Sequence, residues 1–192
     1  MADINCIDLI RGVNPSCDAQ NKVGGINKRV WIGQLNMLNA SASYTEDVNG
    51  YVNSLNLLSV ASIPYTLKKF IGKKSKNSTT NEVVVGENTN TVNQSTILAL
   101  YYSTPTEREA IEALINADDV FVAVQGQYGG IEIYGLDFGL NCTAGTGGLG
   151  ALLNDNTAFV VTLSGEQLGL PKQFLVGGTL ANTITYLEGI SQ

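Results

Sequence analysis

The sequence predicts a mainly β protein: a β-sandwich or barrel with one flanking α-helix, at about 105–117, and a long projecting hairpin. Three observations carry that prediction. Apolar runs of strand length recur along the 192 residues, parted by turns rich in Gly, Asn and Thr. Only one stretch combines helical periodicity with capping residues. Neither a heptad nor an internal repeat is present, which removes coiled coils and solenoids.

Residues 1–27 are Asn-rich and broken by Asn14-Pro15 and Gly24-Gly25, so an extended N-terminal segment is expected there. Residues 28–192 then form a single β-rich domain. Its first strand is Val30 to Leu35. Asn49-Gly50 between Ser43 and Val52 is a strong hairpin signal, because both residues tolerate the positive φ of a tight turn. Val52 to Val60 alternates loosely as a further strand. Tyr65 to Lys73 and Val92 to Tyr102 are strand candidates flanking a polar stretch from Lys74 to Asn90, interrupted by Val83-Val84-Val85. They predict a hairpin arm over about 66–102 with a mobile or projecting polar tip, and a loop that long is usually functional or disordered.

The helix from Pro105 to Ala117 has Thr104 as N-cap, Pro105 at its first position and Glu107 completing a capping box. Ala110, Ile111, Leu114 and Ile115 share one face, and Asp118 and Asp119 mark the stop. Val120 to Gln125 is a strand of buried type, followed by a turn at 127–130 and an alternating strand at Ile131 to Tyr134. Residues 139–157 are expected to be a glycine-rich connection. Ala158 to Leu163 is a strand, and residues 174–192 predict a last strand or a C-terminal arm.

Charged residues make up 15% of the chain, and the net charge is −6 with a pI near 4.5. Asn, Ser, Thr and 21 Gly residues replace the missing charge, as on surfaces whose centres meet other proteins. An acidic chain lacks the basic face that gripping nucleic acid requires. No apolar stretch is long enough for a transmembrane helix, and the N-terminus lacks the pattern of a signal peptide. A reducing cytoplasm is therefore the expected place of synthesis. Cys6, Cys17 and Cys142 form no CxxC pair, and free thiols are expected.

The chain holds no histidine, which removes Ser-His-Asp and Cys-His catalysis and imidazole zinc sites. Gly145, Gly147 and Gly150 match G-x-G-x-x-G, but Asn154-Asp155-Asn156 stops any helix that would face a pyrophosphate. No catalytic residue, cofactor or metal is expected, and an enzyme is the least favoured reading. The N-x-[ST] sequons at Asn39, Asn77, Asn93 and Asn141 are ordinary in a chain so rich in Asn, Ser and Thr. The lysines from Lys68 to Lys76 suit a solvated hairpin edge, where they block unwanted strand pairing. Tyr101, Tyr102, Tyr128 and Tyr134 are expected at the edge of the core.

The order of these features resembles a group of virion structural proteins from tailed phages and prophages of Bacteroidetes that look like tail tube proteins. The likeness covers roughly residues 28–166. It runs through Lys28-Arg29-Val30-Trp31-Ile32-Gly33, the Asp47-Val48-Asn49-Gly50 turn, the helix from Glu107 to Leu114, the strand from Val120 to Val124, the stretch from Ile133 to Leu140 and Leu163-Ser164-Gly165-Glu166. It implies a homo-oligomeric ring of six subunits, stacked with others into a tube in the virion, meeting other virion proteins and passing DNA without specific binding or membrane contact. Lumen-facing carboxylates should then outnumber Lys and Arg. A capsid decoration protein or head–tail connector is the alternative, and a carbohydrate-binding β-sandwich a remote one, disfavoured by a single tryptophan, Trp31. The candidate subunit interface is the hairpin tip: Lys73, Lys74, Lys76, Val83, Val84, Val85 and Asn88.

Overall fold

The computed structural model describes residues 26–40, 42–60, 63–72, 76–87, 89–100, 104–127, 129–148 and 158–191. The strands are β1 (Ile26–Gln34), β2 (Tyr44–Glu46), β3 (Val52–Leu55), β4 (Ser59–Val60), β5 (Ile63–Pro64), β6 (Lys68–Ile71), β7 (Ser78–Val84), β8 (Thr91–Leu100), β9 (Val120–Gly126), β10 (Ile131–Tyr134), β11 (Asn141–Thr146), β12 (Phe159–Gln167) and β13 (Lys172–Phe174). Two α-helices accompany them, α1 (Pro105–Ile115) and α2 (Leu180–Gly189). The strands form a seven-stranded sheet in the order β2-β3-β13-β10-β9-β1-β6, a four-stranded sheet in the order β11-β12-β8-β7, and the small pair β4-β5. The architecture is the β-sandwich with a flanking helix that the sequence predicts.

Successive side chains of a strand point to opposite faces, and β1 shows why this sheet needs two partners. Val30 and Ile32 join Val122, Val124 and Tyr134 on one face and meet Leu98, Leu100, Val161 and Leu163 of the smaller sheet, with Ile111 and Leu114 of α1 in the same core. Trp31 points the other way, with Phe121, Ala123 and Ile133, into a second core that holds Val52, Phe174 and Leu187 of α2. Because both faces of β9 are covered, Val120 to Val124 are all buried, and the strand reads as one continuous apolar run.

The predicted helix forms with both halves of its capping box. Thr104 Oγ1 accepts from the Glu107 N–H, and the Glu107 carboxylate accepts from the Thr104 N–H at 2.9 Å. The second helix, α2, replaces the last strand or arm expected over 174–192. Its Thr-Ile-Thr-Tyr run looks like strand by composition. However, Thr179 caps the helix by accepting from Asn182 N, and the buried Thr183 hydroxyl donates back to Thr179 O at 2.8 Å while accepting from Val176 N. Tertiary burial of Thr183 and Leu187 overrides a weak propensity.

The hairpin arm is also revised. The strand at Lys68–Ile71 belongs to the large sheet, where it pairs with β1 from Arg29↔Ile71 to Ile32↔Lys68. Most of the polar stretch is itself a strand, β7, which pairs with β8 in unbroken register from Ser78↔Ile97 to Val84↔Thr91. Only the segment between Val84 and Thr91 is left as the turn. Ser, Thr and Asn suffice for this edge position because, among the described residues, β8 is the one strand paired with it. The glycine-rich connection after residue 139 likewise holds a strand, β11, which pairs with β12 across a bulge between Cys142 and Ala144.

Candidate assembly surface

The four-stranded sheet packs one face into the core, whereas the large sheet has core on both faces. Among the described residues, β7 and β11 have a strand on one side only. Their free edges carry backbone donors and acceptors able to pair with another chain. One face of this sheet packs into the core. The other is set by the register: Thr80 and Glu82 of β7, Asn93, Ser95 and Ile97 of β8, and Thr162, Ser164 and Glu166 of β12 lie side by side. Thr143 extends the row on β11, with its hydroxyl 2.9 Å from Ser164 Oγ, and Thr91 donates to Glu166 at 3.2 Å. No Lys or Arg occurs in any of the four strands, and Glu82 and Glu166 are their only charges.

One end of this sheet exposes apolar side chains. Val84 pairs with Thr91, and the neighbouring Val92 pairs with Gln167. The β7–β8 turn therefore lies beside the Leu168–Leu170 turn. Val83, Val85, Phe138, Leu168 and Leu170 are 58–79% exposed there. Two buried glutamines hold this end in shape. Gln167 Oε1 accepts from the N–H groups of Asp137 and Phe138, both at 3.0 Å, and its Nε2 donates to Gly139 O at 2.7 Å. Gln94 Oε1 accepts from Gly135 N at 2.9 Å, while its Nε2 donates to Gly169 O at 2.8 Å. Asp137 accepts from Leu168 N at 3.2 Å. Gly135 and Gly139 frame the loop at φ +78° and +79°, and a Cβ on Gly139 would stand 2.4 Å from the Asp119 Cα. Left-handed backbone and close approach together require glycine at 139.

The Tyr134 hydroxyl links β7 to the large sheet. Tyr134 on β10 donates to the Glu132 carboxylate at 2.8 Å and lies 3.0 Å from Thr79 Oγ1. Burial, reinforced by the negative charge of Glu132 and opposed by the Thr79 hydrogen bond, pushes the Tyr134 phenol up to about 12.

The structure divides the sequence-predicted interface residues. Val83, Val84 and Val85 are exposed at the apolar end. Lys76 is exposed too, but it precedes β7 at the opposite end, roughly 20 Å away at about 3.3 Å per residue. Lys73, Lys74 and Asn88 lie outside the described residues. Phe138, Leu168 and Leu170 escaped the sequence reading, although apolar residues inside the turn Leu168-Gly169-Leu170-Pro171 are a signal that could have found them. Gly145 belongs to strand β11, and the Phe159 ring lies over Gly145 and Gly147. Gly150, Cys6, Cys17, Tyr101, Tyr102 and Tyr128 lie outside the described residues. Cys142 is a half-buried free thiol. Among the described residues, no group of three His, Cys, Asp or Glu side chains could hold a metal ion, and no helix is long and apolar enough to cross a membrane. No protein-family model, curated protein or solved structure matches the chain.

Proposed function

We propose that this chain is a virion structural subunit of a tailed phage, a tail tube or closely related tail-ring protein. On this reading its role is mechanical and its site is an assembly surface. The observation that carries the reading is the four-stranded sheet, with two open edges and an outer face free of Lys and Arg. Edge-to-edge pairing of β7 with the β11 of a neighbour would continue the sheet from subunit to subunit through backbone hydrogen bonds. Six copies, the number implied by the resemblance, would close a barrel of 24 strands from four per subunit. At about 4.8 Å between strands and about 40° of tilt, its circumference is roughly 150 Å and its diameter roughly 48 Å. Less roughly 10 Å for inward side chains, that leaves room for a DNA duplex. A lining of Ser, Thr, Asn, Glu and Ile97 offers phosphates no cation to bind, so DNA would pass without sticking.

The exposed apolar end then serves contact between successive rings. Negative-stain imaging of the purified protein tests the reading: rings or tubes are expected. A Val85→Glu/Leu168→Glu variant should stay folded and lose stacked tubes, because both side chains are exposed in the subunit. Purified wild-type protein that stays monomeric at high concentration, or a variant that still builds normal tubes, would count against it.

A further inference from the structure

A cleft of about 720 Å³ lies between α1 and β6. Its walls are mostly apolar: Phe70 and Ile71 on β6, Ala110 and Ala113 on α1, Leu100 at the end of β8 and Ile32 at the floor. Ala110 and Ala113 are exposed, and Ile71 is 57% exposed. The short side chains at 110 and 113 leave room that longer residues would fill. The same chain carries an apolar projection, the Leu168–Leu170 turn, whose Leu168 and Leu170 are 63% and 68% exposed. Projection and cleft lie too far apart to meet within one subunit. Leu168 follows Gln167, which pairs with Val92 near the start of β8, and the cleft is reached at Leu100, roughly 25 Å further along that strand. Across the large sheet the turn leads into β13, which stands four strand steps from β6, roughly 19 Å at about 4.8 Å per step.

We infer that the Leu168–Leu170 turn of one subunit seats in the α1–β6 cleft of a subunit in the next ring, an inference that rests on the tail-ring reading above. A projection and a recess of matching polarity on distant parts of one chain make a heterologous pair. Contact between copies covers both, and the contact repeats from copy to copy without closing on itself. The separation along β8 sets its direction. Pairing of β7 with the β11 of a neighbour closes a ring across the strands, so a contact between the two ends of the strands joins one ring to the next. Area explains why the contact belongs to rings and not to free subunits. An apolar patch of this kind typically exposes about 300 Å², so seating it buries roughly 600 Å² over both partners, half of what the smallest stable interfaces bury. Six such contacts between two rings bury roughly 3,600 Å², which is in the range of obligate assemblies.

Disulfide trapping in assembled material tests the contact. In a full chain with Cys6→Ser, Cys17→Ser and Cys142→Ala, Leu170→Cys places one thiol on the projection and Ala113→Cys a second in the cleft. Both positions are exposed in the subunit, so the fold is kept. Mild oxidation is expected to link chains head to tail, giving a ladder of dimers, trimers and longer chains on a non-reducing gel. Glu112→Cys in place of Ala113→Cys, on the same helix but not lining the cleft, should slow the linkage at least tenfold. Leu170→Cys alone should give no linked dimer. A dimer from Leu170→Cys alone would mean that rings meet projection to projection, and equal rates at 113 and 112 would mean that the turn seats elsewhere. Either result overturns the inference and leaves the tail-ring reading standing. Wild-type protein that stays monomeric in negative stain sinks that reading and takes the inference with it. A complementation experiment keeps the native cysteines. Ala113→Lys and Leu170→Glu should each leave single rings and shorten tubes at least tenfold, and the two together should restore tubes through a new ion pair. Tubes of normal length from Ala113→Lys alone would equally overturn the inference.

Discussion

The two sheets of the sandwich are built from the same kind of strand and end in opposite conditions. The seven-stranded sheet is covered on both faces, by the small sheet on one side and by α2 with its neighbouring loops on the other. Its strands carry Lys28, Arg29, Lys68, Lys69 and Lys172, and Glu188 of α2 accepts from Lys69 at 2.6 Å and from Arg29 at 3.4 Å, while Glu46 of β2 accepts from Lys172 at 3.0 Å. Among the described residues, the four-stranded sheet is covered on one face, has no basic residue in its strands, and leaves a face of Ser, Thr, Asn and Ile97 with two carboxylates, Glu82 and Glu166. The basic residues of the two main sheets therefore all lie in the larger one. A face that no described element covers needs polarity to stay wet, and Ser, Thr and Asn supply most of it, with Glu82 and Glu166 as the charges of its strands.

The sharpest way to break this contrast is to cut the two faces of β12 apart. Leu163→Ala, on the covered face, removes a fully buried side chain and is expected to cost about 2–5 kcal/mol in urea melts. Gln167→Leu should come next. It strips the hydrogen-bond partner from three backbone groups of the 137–139 loop, for about 2–3 kcal/mol, and loosens the end that presents Phe138. Thr104→Ala removes the cap of α1 and should cost about 0.5–2 kcal/mol, a test of the helix that closes the core shared by the sheets.

Tyr134→Phe probes the hydroxyl that joins the sheets by its pH dependence. The phenol is held near 12 in the folded state, against about 10 in an unfolded chain. Stability from this neutral phenol is fully present below pH 10 and is lost as pH rises through 12, because the unfolded chain ionises first. Melts at pH 9 and 11 should show wild type losing more stability over that interval than Tyr134→Phe. The smallest effect is expected from Thr162→Ala on the bare face, within about 0.5 kcal/mol. A loss there as large as at Leu163 would mean that the face is not bare in the free subunit.

Much of the fold was legible where local chemistry and tertiary context agree. The capping box fixes α1 from residues 104–107 alone, and the doubly covered β9 announces itself as an apolar run. Legibility failed where one level overrides another. β7 reads as loop because an edge strand needs no buried face, and α2 reads as strand because Thr and Ile favour β while packing against the sheet decides for helix. The candidate surface was half legible. Valines stand out in a polar stretch, whereas Phe138, Leu168 and Leu170 meet only because Gln94 and Gln167 fold two separate turns against each other.

The pairing of β8 with β12 runs without a bulge from Phe159↔Leu100 to Gln167↔Val92. Load applied along those strands is carried by all the rungs together, so the sheet resists sliding as a stiff unit. Load applied across them opens the rungs singly, beginning at one end. A protein built around this ladder is strong in one direction and can be peeled in another. A pull meets the strong direction only if the strands lie close to the line of pull.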